Sequence, residues 1–271
     1  MDLAQILQLA AHGPDTFVGT GPSYNWGGLY GGHIVAQALR AAAYTVDADH
    51  DVHSLRAYFI RRGDHTEPIR FEVDRIRNGT AFVTRRVIAR QATGAILNLE
   101  ASFQRAEEAP DIETIRMPVV PRPDEVNHDS WTESFERGFV PPSAMPDDGR
   151  LGAGRAIAWM RATAPLGEDQ LVHRCALAYM SDDMPTDAVV RALPGYRGDL
   201  TDFDQRWFAA SLDHSMWFHR PMRADVWHLY DFTCHSYSGG RGLTLGHVFT
   251  AEGVHVATVA QEVLVRERRQ S

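Results

Sequence analysis

Apolar and polar positions alternate with period two along most of the chain, and the alternation falls into two blocks. The first block holds His53-Ser54-Leu55-Arg56-Ala57-Tyr58-Phe59 and then residues 68–77, 81–91 and 96–104. The second holds His214-Ser215-Met216-Trp217-Phe218-His219 and then residues 226–237, 242–250 and 255–265. Period two is the spacing of a half-buried strand. Asn78-Gly79 and Gly239-Gly240 separate the second run of each block from the third. Gly94 and Gly253 separate the third from the fourth, at nearly the same distance from the His-Ser pair. Asn-Gly or Gly-Gly between alternating runs predicts antiparallel hairpins.

A helical stretch precedes each block. The first, 32–43, follows the glycine-rich residues 27–32, and Ala, Leu and Ile fill almost every side of it. Such a helix is expected to be nearly fully buried. The second runs over 169–179, breaks at Ser181-Asp182 and restarts near Pro185; proline in a first turn, after Ser or Asp, marks a helix start. Residues 1–13 read as a short amphipathic helix. Between the blocks, from 107 to about 154, Pro118, Pro121, Pro123, Pro141, Pro142 and Pro146 exclude long helices and central strands. This stretch reads as a connector with a helical piece expected over 131–137. The organisation is then an N-terminal unit 1–108, a Pro-rich connector 109–150 and a C-terminal unit 151–271. Pattern alone predicts an α+β fold, one buried helix and one antiparallel meander, written twice.

Composition narrows the function. The 271 residues are 44% hydrophobic, as in ordinary globular chains. Thirty-five acidic against 27 basic residues leave a formal charge of −8 with no basic stripe, which disfavours nucleic acid as a partner. All 27 cations are Arg and no Lys occurs, so Schiff-base, phosphate-loop-lysine and Ser-Lys chemistry are excluded. Only Cys175 and Cys234 are present, far apart, which argues against a disulfide framework or zinc knuckle and for a reducing compartment. No apolar run approaches the roughly 18–20 residues that span a bilayer. With no basic leader before the first helix, a soluble, cytoplasmic protein is expected.

Four segments stand out in chain order: Gly31-Gly32-His33-Ile34-Val35-Ala36-Gln37-Ala38-Leu39, His53-Ser54 with Arg61-Arg62-Gly63-Asp64, the block Asp213-His214-Ser215-Met216-Trp217-Phe218-His219-Arg220-Pro221, and Gly253-Val254-His255-Val256-Ala257-Thr258-Val259-Ala260-Gln261-Glu262. Together they resemble the acyl-CoA thioesterase II (TesB-like) family. The connector and residues 191–206 carry little of the likeness. The resemblance implies a tandem (double) hotdog, each sheet wrapped around a central helix, and hydrolysis of acyl-CoA to fatty acid and CoA without cofactor or metal. It also implies three residues that hold and activate the attacking water. Asp182 matches through Leu177-Ala178-Tyr179-Met180-Ser181-Asp182, Ser211 by standing two before the Asp-His-Ser block, and Gln261 by preceding Glu262 near the chain end. Met180, Asp183 and Pro185 depart from the family pattern, which touches the acyl tunnel more than the chemistry.

These residue types suit the reaction. A thioester carbonyl is already electrophilic, so hydrolysis needs an oriented water, a proton acceptor and oxyanion stabilisation. A buried carboxylate can be the acceptor, while an amide and a hydroxyl fix the water. N–H groups freed at a helix start, with Gly31, Gly32 and His33 opening the first helix, are the candidate substrate contacts, although the second helix offers the same chemistry. Taken singly, Asp182 reads as a helix cap, Gln261 as a solvated strand residue and Ser211 as a turn residue. His214 and His219, five apart on a strand, point to opposite faces and should not share a metal; His214 is expected to orient a neighbour. Arg61, Arg62, Arg220 and Arg241 are surface residues unless CoA phosphates recruit them. A hydratase-type hotdog lacks its Asp-His pair beside either helix, and no Gly-x-Ser-x-Gly elbow supports an α/β-hydrolase. The alternative from another class is a non-catalytic acyl-CoA-binding hotdog. Open sheet edges predict a homodimer or larger assembly.

Overall fold

Each sequence block folds into the hairpins its pattern predicts, in a computed structural model that describes residues 1–146, 154–196 and 203–268. The chain opens with α1 (Leu3–Ile6), β1 (Ala10–Ala11) and β2 (Thr16–Gly19), then α2 (Gly31–Ala43). The first block follows as β3 (His50–Phe59), β4 (Ile69–Asn78), β5 (Phe82–Gln91) and β6 (Gly94–Arg105). Next come β7 (Phe135–Phe139), β8 (Arg155–Ala162), α3 (Gln170–Ser181), α4 (Met184–Ala192), α5 (Phe203–Arg206) and β9 (Trp207–Ser211). The second block closes the chain as β10 (Asp213–Phe218), β11 (His228–Ser238), β12 (Arg241–Thr250) and β13 (His255–Glu267). At the β11–β12 turn Gly239 and Gly240 have φ of 59° and 79°, the left-handed pair that a two-residue hairpin loop requires.

The described strands form one antiparallel sheet in the order β1-β2-β4-β5-β6-β3-β10-β13-β12-β11-β8-β7, with β9 also on β13. Its two halves are mirror-ordered, and the seam is the pairing of β3 with β10, where Leu55 faces Met216 and Ala57 faces His214. Each half wraps a helix. Ile34, Val35, Leu39, Ala36, Ala38, Ala41 and Ala42 of α2 are buried, as its all-round apolar sequence predicts; full burial of each large aliphatic is worth about 1.5–3 kcal/mol. Helices α2 and α3 pack antiparallel. The start of α2 meets the end of α3 at Gly32 and Asp182, and Arg40 in the last turn of α2 reaches Asp169, the N-cap of α3, at 3.3 Å. This is the tandem hotdog, with the two sheets fused along their seam.

Two local expectations fail. Over 131–137 the helix is replaced by β7, an edge strand that pairs Phe135 with Ala162 and buries Phe135. Trp131 and Phe135 stand four apart, as on a helix, but only the edge position lets the Phe-Glu-Arg-Gly-Phe run complete the second half of the sheet. Within the described part of the connector, helical structure is confined to single 3₁₀ turns at Pro123–Glu125 and Pro142–Ala144. The N-terminal helix is one turn, capped by Asp2 accepting from the Gln5 N–H at 2.8 Å, and the chain is already extended at Ala10. The expected boundary between residues 150 and 151 lies outside the described residues.

The helix contact depends on a missing side chain. A Cβ on Gly32 would stand 2.1 Å from the Tyr179 backbone oxygen, and backbone cannot rotate away. Gly32→Ala is therefore expected to lower the unfolding free energy by about 3 kcal/mol, read as a shifted denaturant midpoint at unchanged slope.

Candidate active site

Three side chains from three elements meet at the seam. Asp182 ends α3, Ser211 ends β9 and Gln261 lies inside β13. Gln261 stands in the inward row of β13 between Val259 and Val263 and is fully buried, so the solvated-strand reading is wrong for it. Its Nε2 donates to Asp182 Oδ1 at 2.7 Å and to Ser211 Oγ at 2.9 Å. Ser211 Oγ donates to the same Asp182 oxygen at 2.8 Å. Asp182 itself is 6% exposed, and the partly exposed Ser211 is the member open to solvent.

The second oxygen of Asp182 crosses to the other half, where Oδ2 accepts the Gly32 N–H at 2.8 Å. Tyr30, the N-cap of α2, makes no side-chain cap, so Asp182 satisfies one of the donors orphaned at that helix start. The capping reading of Asp182 is thus realised, but on the helix of the opposite half. The same geometry uses the Gly32 N–H and leaves that of Gly31 without an intrahelical acceptor. A Cβ on Gly31 would lie 2.5 Å from Asp182 Oδ2 and 2.9 Å from the Phe59 ring, so only glycine fits beside the carboxylate. His33 is buried with its ring against Gly21; its Nδ1 is 3.2 Å from the Tyr24 hydroxyl and its Nε2 has no partner.

Burial pushes the Asp182 carboxyl above the usual carboxylate range, opposed by His214 and by the hydrogen bonds from Ser211, Gln261 and Gly32. A carboxylate offers about four acceptor positions. Three are filled here, and the position left over belongs to Oδ2, on the side of Gly31. The arrangement therefore brings a carboxylate able to accept a proton, a hydroxyl and an amide into mutual hydrogen-bond contact.

Two further residues belong to this cluster. His214, inward and fully buried in β10, places Nδ1 in a short hydrogen bond with Gln261 Oε1 and Nε2 at 2.9 Å from Ser181 Oγ. His214 was expected to orient a neighbour, and the neighbour it meets is Gln261; Ser181 was passed over. Period two supplies the signal in both strands: a polar residue in an inward row, as at His214 between apolar partners and at Gln261, needs a buried partner. The neighbouring acid has other duties, since Asp183 accepts from Trp131 Nε1 at 2.6 Å and pairs with Arg137 at 2.6 Å.

Arg61, Arg62 and Arg241 stay on the surface, whereas the Arg220 side chain is only 16% exposed. Arg61 donates to the Ala95 carbonyl at 2.8 Å, Arg62 to that of Trp26, Arg220 pairs with Asp111 and Arg241 with Glu262. His219 lies with His247 and His255 around Thr258, remote in the register from His214. Among the described residues no group of three or more His, Cys, Asp or Glu is placed to hold a metal, and no helix is long and apolar enough to cross a membrane. A depression of about 540 Å³ lined by His128, Glu136, Arg161 and Trp227 shares no residue with the Asp182 cluster.

Known proteins share this architecture. Residues 20–104 match the acyl-CoA thioesterase N-terminal domain family and residues 108–265 the C-terminal domain family. Acyl-coenzyme A thioesterase 8 of Rattus norvegicus is 35% identical, over 89% of this chain and 81% of the relative. The crystal structure of acyl-CoA thioesterase II TesB2 from Mycobacterium marinum superposes with a TM-score of 0.87 at 36% identity, covering 100% of this chain and 99% of that one. A protein of unknown function with a hot dog fold from Alicyclobacillus acidocaldarius, 20% identical with a TM-score of 0.77 over 99% and 98% of the two chains, shares the fold. On sequence and architecture together, this chain belongs to the acyl-CoA thioesterase family.

Proposed function

We propose that the chain hydrolyses acyl-CoA thioesters to a free fatty acid and CoA, with Asp182 as the general base. The observation that carries this reading is the convergence of Asp182, Ser211 and Gln261, distant in sequence, on one buried carboxylate. A water donating one hydrogen to the open position of Oδ2 attacks the thioester carbonyl carbon, and Asp182 takes the proton as the C–O bond forms. Gln261 and Ser211 hold the carboxylate in place. The Gly31 N–H, in the positive end of α2, is the donor for the developing oxyanion. When the intermediate collapses the C–S bond breaks and the thiolate leaves, taking the proton back from Asp182; a thiol pKa near 8.5 makes it a good leaving group. No metal or cofactor enters the scheme. Of the expected substrate contacts, Gly31 keeps that role here, Gly32 supports Asp182, and His33 acts from beneath as packing for the loop at Gly21.

A non-catalytic acyl-CoA-binding reading has one observation in its favour, since capping α2 is reason enough to keep an acid at 182. Thiol release from a panel of acyl-CoAs separates the two. Asp182→Asn is expected to lower kcat by about 10²–10³-fold, the scale of general base catalysis, whereas a binder releases no CoA even as wild type. Ser211→Ala removes one hydrogen bond to the carboxylate and should cost about tenfold.

The pH profile carries a sign. The base must be ionised, so kcat/KM falls as pH drops through the Asp182 pKa, and burial places that acid limb above the ordinary value of about 4. The Ser211 hydrogen bond favours the ionised form, so Ser211→Ala should move the limb further upward. A limb at or below about 4 would mean that the hydrogen bonds to Asp182 outweigh its burial. A cytoplasmic location and assembly into a homodimer or larger are part of the same proposal, the latter supported by exposed Tyr58 and Phe208 on the sheet near the seam. Light scattering should return a mass of at least twice 30.3 kDa.

A further inference from the structure

The Gln261 amide can face Asp182 in only one useful way. Its nitrogen must point at the carboxylate, because an ionised carboxylate is acceptor-only and the amide oxygen turned toward it would repel. So placed, Nε2 lies 2.7 Å from Asp182 Oδ1 and 2.9 Å from Ser211 Oγ. That orientation turns Oε1 toward His214 Nδ1, so Nδ1 must carry the ring proton and donate it. The ring is then a neutral imidazole whose Nε2 is a bare acceptor, facing Ser181 Oγ at 2.9 Å. Ser181 has a single hydroxyl hydrogen and two other neighbours, the Ala178 carbonyl at 3.1 Å and Met216 sulfur at 3.3 Å. Only donation to His214 completes the chain.

Reversing any link reverses them all. If the Ser181 hydrogen turned to Ala178, the His214 proton would move to Nε2, a bare Nδ1 would face Oε1, and the amide would have to flip its oxygen onto the carboxylate. Burial holds the His214 pKa below the usual imidazole range, although Asp182, Gln261 and Asp213 all oppose the shift. All five members, Ser181, His214, Gln261, Asp182 and Ser211, come from α3, β9, β10 and β13 of one half, so the chain is continuous within that unit.

We infer that His214, with Ser181 behind it, is the positioning residue that locks the Gln261 amide with Nε2 toward Asp182 and Ser211. It touches neither substrate nor water. The inference rests on the proposed hydrolytic role of Asp182 and deepens it.

The test is a double-mutant cycle in the full chain, with thiol release as the readout and melting curves to confirm folding. His214→Leu should lower kcat about 100-fold with KM changed less than about threefold, the pattern of a lost transition-state arrangement. His214→Asn, whose amide N–H can stand where Nδ1–H stood, should retain activity within about tenfold of wild type. In a Gln261→Ala background, His214→Leu should cost no more than about twofold further, because a residue acting only through Gln261 has nothing left to act on. Ring ¹⁵N shifts of His214 in the wild-type protein, which need no variant to fold, should report a proton on Nδ1 and none on Nε2.

An undiminished loss in the Gln261→Ala background would mean a general packing role and overturn the inference, as would a proton on Nε2. Asp182→Asn run in parallel separates the two levels. If it abolishes turnover while His214→Leu turns over at the wild-type rate, only the positioning role fails. If Asp182→Asn hydrolyses as fast as wild type, the catalytic reading fails and takes this one with it.

Discussion

The antiparallel pairing of β3 with β10 is the constraint on which the site depends. It fuses two half-sheets that would each wrap a helix alone, and in doing so it lays the helices side by side with opposite polarity. The positive end of α2 then faces the end of α3, and the carboxylate that terminates α3 is held by a backbone N–H of the other half. Glycine at positions 31 and 32 is what makes the approach possible, because a Cβ at either would strike the carboxylate or the facing backbone. The geometry of the cluster is thus a consequence of how the halves join.

A buried charge needs such company. Removing a carboxylate from water costs several kcal/mol unless hydrogen bonds replace the solvent, and Asp182 receives them from a hydroxyl, an amide and a helix start. Its neighbour Asp183 answers the same demand through an indole and a guanidinium. Further along α4, burial and the proximity of Asp183 push the Asp187 carboxyl up to about 7. Three acids within six residues therefore live in three different environments, and Pro185, with no N–H to continue the preceding helix, stands in the first turn of α4 where the two helices part.

Much of this was legible in the sequence, and the limits have physical causes. Hairpins were readable because period two and glycine-containing turns are local. The buried α2 was readable because no polar face interrupts it. Asp182, Ser211 and Gln261 were found through family resemblance; their convergence was not visible, since it depends on pairings between strands far apart in the chain. Gln261 and His214 could have been recognised as buried from their rows alone. Ser181 could not, because its partner lies on another element. β7 was missed for a similar reason: Phe-Glu-Arg-Gly-Phe has no strong preference of its own, and only the free edge of β8 makes it a strand.

The duplication is not symmetrical in chemistry. Following the strand pairings from the seam, Gln261 on β13 occupies the place that Phe103 occupies on β6, opposite Val83 where the second half has Thr244. His53 remains in the first half but hydrogen-bonds Ser102 instead of an amide. At the far ends of the paired helices, ion pairs from Arg40 to Asp169 and from Arg174 to Asp51 stand where a second carboxylate cluster would be. Phenylalanine at 103 thus divides the labour between the two units: the second carries the carboxylate, amide and hydroxyl of the proposed site, the first supplies the Gly32 N–H that braces them, and the proposal gives one equivalent of ligand per polypeptide at saturation.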